Sequence, residues 1–334
     1  MRTRQAGTID PWRAQSRLPL EVRVGNGAGV RVESNAVVPV PQRLHVDATL
    51  ARRLVAAQFP QWADLPIRPV ATSGWDNQTF HLGSTMSVRL PSAAEYALAV
   101  DKEHRWLPVL APCLPLPIPV PLAKGVPGEG YPLPWSVYGW IDGETASADT
   151  IDDLTGFAVA LAGFLVALGR VDPVGGPAAG LHNWFRGGPL ETYDAQTRLV
   201  IDALDGRLPD GTATEIWTSA LRATWDGRPV WFHGDVAHDN LLVRDGALAA
   251  VIDFGTCGVG DPACDLAIAW TLLSGASRDA FRTGLGVDPA TWTRGRGWAL
   301  WKALIIYAGE RIGTAKAAEA RHVLDEIFAE SPRG

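Results

Sequence analysis

The feature that most restricts the fold is a single hairpin signal set inside an otherwise helical half of the chain. Residues 230–265 read VWFHGDVAHDNLLVRDGALAAVIDFGTCGVGDPACD. Two short apolar runs, 241–243 and 248–252, flank Asp245-Gly246, a dipeptide that suits the left-handed backbone of a two-residue hairpin turn. A hairpin brings the chain back to the end it left, so residues before its first strand meet residues after its second. Asp235 and Asn240 stand on one side and Asp253 on the other, and the three converge. Around this hairpin the apolar spacing predicts helices at about 147–169, 189–206, 211–225, 262–274, 289–312 and 315–330.

The first half is patterned differently. Residues 1–44 lack sustained periodicity and read as a largely unstructured leader, partly strand. Asp47 is the expected N-cap of a helix that puts Leu50, Leu54 and Val55 on one face. Short β-like runs follow at 69–72, 79–82 and 86–90, with turn signals at 74–77 and 83–84. A helix capped by Ser92 is expected to stop at Pro108, and the proline-crowded stretch from 108 to 134 predicts extended edges and turns. Trp135 to Trp140 is the expected last strand, and Asp142-Gly143 a hinge. The organisation is therefore a leader at 1–44, a sheet-bearing lobe at 45–141 and a mainly helical lobe at 142–331.

Composition narrows the function classes. The 334 residues are ample for two lobes, and 36 acidic against 30 basic side chains give a charge of −6 with no Lys/Arg block. That balance argues against a nucleic-acid or anionic-membrane surface. The longest charge-free stretch, 154–169, is 16 residues, short of the roughly 20 that span a bilayer. Three cysteines (113, 257 and 264) without CxxC spacing suggest neither a disulfide framework nor a zinc knot, and point to the reducing cytoplasm.

His233-Gly234-Asp235-Val236-Ala237-His238-Asp239-Asn240 resembles the HGDxxxxN catalytic loop of the aminoglycoside and macrolide phosphotransferases. Ile252-Asp253-Phe254-Gly255, followed by Gly260-Asp261-Pro262-Ala263-Cys264-Asp265, resembles their metal-binding aspartate and downstream DPAxD signature. The resemblance covers about residues 47 to 330, and the combination carries it, since each short motif alone is weak. It implies an α+β, protein-kinase-like two-lobed fold with an antiparallel-sheet N-lobe and a mainly helical C-lobe. The implied activity is transfer of the γ-phosphoryl group of ATP, with magnesium, to a hydroxyl of a small molecule. GTP stays open, because the family reads the purine through backbone groups of the connection between lobes.

By the same resemblance Asp235 accepts the proton of the acceptor hydroxyl, and Asn240 and Asp253 hold the metal. Ser73, Gly74 and Asn77 belong to the loop over the phosphates. Arg89 occupies the strand position where the family carries a phosphate-pairing lysine, with Glu103 as its helix partner in preference to Glu95. His233 and Asp265 are expected to brace the catalytic loop, and Asp261 either to brace it or to meet the substrate. The acceptor pocket is expected from helices rich in Trp184, Phe185, Trp217, Trp292, Trp298 and Trp301, with Glu191, Asp194, Asp325 and Glu326 nearby. An apolar cavity would suit a macrolide and a carboxylate cluster an aminoglycoside. The oligomeric state is not legible. Two other readings compete. A metal-dependent hydrolase rests on His233-x-Asp235-x-x-His238-Asp239, and a catalytically silent nucleotide-binding regulator rests on Arg89 in place of lysine.

Overall fold

The computed structural model describes residues 41–71, Gly74 and 76–330, together with the backbone pairing of β1 (Leu20–Arg23) with β2 (Gly29–Val32). Most of the expected leader, and Thr72, Ser73 and Trp75, lie outside the described residues. The first helix, α1 (Ala48–Gln58), starts as its sequence requires: the Asp47 carboxylate accepts from the Leu50 amide at 2.8 Å. A five-stranded antiparallel sheet follows. It consists of β3 (Ile67–Pro69), β4 (Asn77–Leu82), β5 (Met86–Pro91), β6 (Pro121–Gly125) and β7 (Trp135–Gly139), in the spatial order β3-β4-β5-β7-β6. The first expected strand begins two residues earlier than its apolar run. Proline-bearing β6 takes an edge, where the missing amide of Pro121 costs no ladder bond on a second side.

Strand alternation sorts this sheet into two faces. Phe80, Leu82, Val88, Leu90, Trp135 and Val137 point to α1 and form one core with Leu54 and Val55. Arg89 and, across the ladder, Ser136 and Tyr138 therefore face the opposite side, where α2 (Ala94–Leu110) packs. This helix departs from expectation at both ends. Ser92 is not its cap; the Ser92 amide is bound by the Asp76 carbonyl, and Ala93 at the N-cap makes no side-chain bond. Pro108 lies inside the helix, which runs two residues further, so the ring removes a single amide near an end that was about to fray.

The rest of the chain is mainly helical, apart from short strand pairs. β8 (Glu144–Thr145) joins the hairpin of β10 (Leu241–Arg244) and β11 (Ala247–Val251), and β9 (Val230–Phe232) pairs with β12 (Gly258–Gly260). Asp245 and Gly246 at the hairpin turn both have positive φ, 52° and 73°, as a type I′ turn demands. The helices are α3 (Leu154–Arg170), α4 (Asp194–Ala203), α5 (Thr212–Arg222), α6 (Ile268–Thr271), α7 (Gly275–Leu285), α8 (Pro289–Gly309) and α9 (Ala315–Ala329).

α3 starts seven residues later than its apolar spacing suggested, at an Asp153 cap. α7 is absent from the sequence expectations, because glycines at positions 275 and 284 and few apolar residues mask its period. α8 is buried nearly all round, with Trp298, Leu300, Trp301, Leu304 and Ile305 at 0–3% exposure, and it forms the axis of the second core. Among the described residues no helix is long and apolar enough to cross a membrane, and the three cysteines are unpaired, Cys113 exposed and the other two buried.

Candidate active site

The hairpin sets the geometry. Backbone bonding ties its two ends together: the Ile252 amide donates to the Asn240 carbonyl at 2.9 Å, and His233 Nε2 meets the Ile252 carbonyl at 2.9 Å. The Asp235 amide points at His233 Nδ1, 3.2 Å away, so Nδ1 accepts and the ring proton sits on Nε2. Both imidazole nitrogens are thereby committed to the chain, which removes His233 from the ligand set of the hydrolase reading. Gly234 has φ of 89°, and a Cβ there would come within 2.5 Å of the Thr256 carbonyl, so both conformation and packing demand glycine.

Asp265 holds this loop from beneath. Its two carboxylate oxygens accept the amides of His233 at 2.8 Å and Gly234 at 2.6 Å. Burial pushes the Asp265 carboxyl up, while His233 and the two amides work against that shift. Asp265→Ala strands two buried amides and is expected to cost about 3 kcal/mol or more in urea unfolding; an unchanged midpoint would rule out this brace. Asp261 is settled as a brace as well, since Arg294 reaches its two oxygens at 2.7 and 3.2 Å and all of these groups are buried.

Asp235 and Asn240 come together within the loop. Asn240 Nδ2 donates to the Asp235 carbonyl at 2.9 Å and to its Oδ2 at 3.3 Å, which turns the Asn240 amide oxygen away from Asp235. Asp235 Oδ1 takes an ion pair from Lys302 Nζ at 2.8 Å. Burial works to raise the Asp235 carboxyl, but Lys302, with Arg186 and His233, outweighs it and holds the group below the ordinary range. Asp253 sits in the left-handed region, φ 65°, a strained position for a non-glycine residue.

Arg89 joins the two lobes. Its guanidinium lies 2.8 Å from Asp253 Oδ1 and 3.8 Å from Glu103 Oε1, and Tyr138 donates to Glu103 Oε2 at 2.6 Å. Burial works against the guanidinium charge, and Asp253 and Glu103 more than offset it, raising its pKa. Glu103 is pushed up by burial and only partly relieved by an arginine it shares with Asp253. Gly74 is exposed and Asn77 opens β4, while Ser73 lies outside the described residues. The acceptor-pocket expectation does not hold as drawn. Trp184, Trp217, Trp292, Trp298 and Trp301 are all core residues, and Asp194, Asp325 and Glu326 are bound by Arg198, Arg321 and Arg278.

Comparison with known proteins places this geometry. Residues 67–298 match the model of the phosphotransferase enzyme family. The chain belongs to that family. A curated aminoglycoside 3′-phosphotransferase of Escherichia coli is 35% identical over 74 residues, which are 22% of this chain and about a quarter (27%) of that protein's length. Among solved structures, the GDP complex of aminoglycoside 2′-phosphotransferase-IIIa is similar with a TM-score of 0.65 and 18% identity, covering 85% of this chain and 99% of its own. The macrolide 2′-phosphotransferase of Brachybacterium faecium is similar with a TM-score of 0.52 and 20% identity, covering 86% and 99%. These likenesses establish the kinase-like fold, with its antiparallel N-terminal sheet and helical C-terminal part.

Three cations of this site escaped the sequence reading. Lys102, next to Glu103 on α2, places its ammonium 2.7 Å from the Gly255 carbonyl, 3.0 Å from that of Cys257 and 3.2 Å from that of His182, so it pins the segment after Asp253 to the helix. Arg186 donates to the Gly234 carbonyl at 3.1 Å and lies over the rings of Trp301 and Trp298 at 4.7 and 5.0 Å. Lys302 lies four residues past the matched stretch. Its one sequence signal is a lone lysine within the apolar run of α8 in a chain with only four lysines.

Proposed function

We propose that the protein transfers the γ-phosphoryl group of a nucleoside triphosphate to a hydroxyl of a small molecule, with Asp235 receiving the proton. The observation that carries this reading is a half-buried carboxylate held by Lys302 and Asn240 at the mouth of a hairpin whose other end carries Asp253. An acceptor hydroxyl donating to Asp235 is aligned for attack, and its proton passes to the carboxylate as the bond to the nucleotide breaks. Asn240 and Asp253 fit a magnesium ion: both offer hard oxygens, and the Asn240 amide is already turned so that its oxygen is available. Such an ion, when bound, neutralises charge on the phosphates. Gly74 and Asn77, with Ser73, form the loop over the phosphates, and Arg89 supplies positive charge beside them. The lobe boundary falls near Asp142, between the sheet and β8.

The acceptor class follows the solved relatives, whose complexes carry kanamycin, streptomycin and gentamicin, and among which macrolide enzymes also occur. Nucleotide use likewise follows relatives seen with GDP, ADP and ATP. Three unpaired cysteines support a reducing, cytoplasmic location. Against the silent-regulator reading, Arg89 reaches Glu103, the helix partner expected for a lysine at this position. The deciding experiment is mass spectrometry of pooled aminoglycosides, macrolides and hydroxylated metabolites incubated with the protein, magnesium and ATP or GTP. A phosphorylated product made by the wild type and not by Asp235→Asn is expected. Failure to bind either nucleotide would sink the reading.

A further inference from the structure

We propose that Lys302 is a further catalytic residue, contacting the phosphoryl group in flight while it holds Asp235; this rests on the phosphotransferase reading above. An ammonium carries three N–H donors. Among the described residues Lys302 Nζ meets one acceptor, Asp235 Oδ1 at 2.8 Å, although its side chain is only 18% exposed. Two donors of this partly buried cation therefore remain for the oxygens of a ligand brought beside Asp235, where an acceptor oxygen and a γ-phosphorus must approach each other.

The other cations near this space have protein partners of their own. Arg89 bridges Glu103 and Asp253, Lys102 is bound by three backbone carbonyls, and Arg186 is seated against Gly234 and the tryptophans of α8. The catalytic loop contributes no cation of its own, since Asp235 is followed by Val236, Ala237, His238 and Asp239. Lys302 reaches the same point from α8, and it does so rigidly because Trp301 and Ala303 on either side are 1% and 2% exposed.

In the step so assigned, the acceptor oxygen bonds to the γ-phosphorus as the bond to the bridging oxygen breaks. That bond's electron pair leaves with the nucleoside diphosphate, and the hydroxyl proton goes to Asp235. Lys302 keeps its proton throughout and donates hydrogen bonds to the equatorial oxygens of the phosphoryl group as their charge redistributes.

The test uses the intact chain, magnesium and ADP, titrated calorimetrically with and without fluoroaluminate, a planar mimic of the transferring phosphoryl group. The wild type is expected to bind Mg·ADP more tightly when fluoroaluminate is present. Lys302→Met should keep its affinity for Mg·ADP alone and lose about 10- to 100-fold in the fluoroaluminate complex. Lys302→Arg, which keeps the charge and its donors, should recover most of that loss. Should Lys302→Met fail to fold, Lys302→Gln carries the same comparison. An equal gain in wild type and Lys302→Met overturns the assignment, as does the absence of any gain in the wild type. A wild type that binds neither Mg·ADP nor Mg·GDP overturns the phosphotransferase reading itself, and is recognised because no comparison with fluoroaluminate is then needed.

Discussion

Asp235→Asn is expected to lower phosphoryl transfer by roughly 100- to 10,000-fold, the usual range for loss of a positioned general base, while nucleotide binding and the unfolding midpoint change little. The amide replaces the carboxylate atom for atom, so the contact from Asn240 to the Asp235 carbonyl survives, as does the loop brace by Asp265. Two things are lost together. The neutral side chain can no longer take a proton, and Lys302 no longer faces a charge at 2.8 Å. Turnover of an acceptor identified by mass spectrometry, compared with calorimetric affinity for the nucleotide, separates chemistry from binding. A variant with normal turnover would remove Asp235 from the reaction. One with lost turnover and lost nucleotide binding would place it in the binding machinery instead.

How much of this was legible in the sequence depends on the range of the contacts involved. The hairpin was legible because its signals are local: Asp245-Gly246 at the turn, apolar runs beside it, and acidic residues at its open end. Arg89 was legible through the family resemblance, which places a cation on this strand with Glu103 as its partner, and the structure pairs the two. Lys302 was not, since its partner lies 67 residues away and helical periodicity alone marks it as an interruption in a buried face. Lys102 and Arg186 were hidden for the same reason, reaching loops 153 and 48 residues distant. The tryptophans show the converse. Composition alone let them serve a pocket or a core, and packing around α8 assigned Trp217, Trp298 and Trp301 to the core. Pro108 and α7 were misjudged where local propensity was overridden by tertiary packing.

Removal of Arg89 is expected to be the most damaging change to the link between the lobes. Arg89→Met leaves Glu103, 5% exposed, with Tyr138 as its hydrogen-bond donor and no cation against Oε1. Breaking a buried pair from one side costs roughly 3–5 kcal/mol, because the surviving charge stays desolvated. Asp253 suffers less: its side chain is 35% exposed, and water can replace the guanidinium. The cost therefore sits on Glu103, and the double variant Arg89→Met with Glu103→Met should regain most of the lost stability in urea unfolding. Nucleotide affinity should behave differently. If Arg89 supplies charge to the phosphates, binding falls about 10- to 100-fold in the single variant and stays low in the double variant, where the fold has recovered. Recovery of both together would make Arg89 a structural strut between β5 and α2. Recovery of stability alone separates its two duties, and shows that an arginine does the work that the family assigns to lysine.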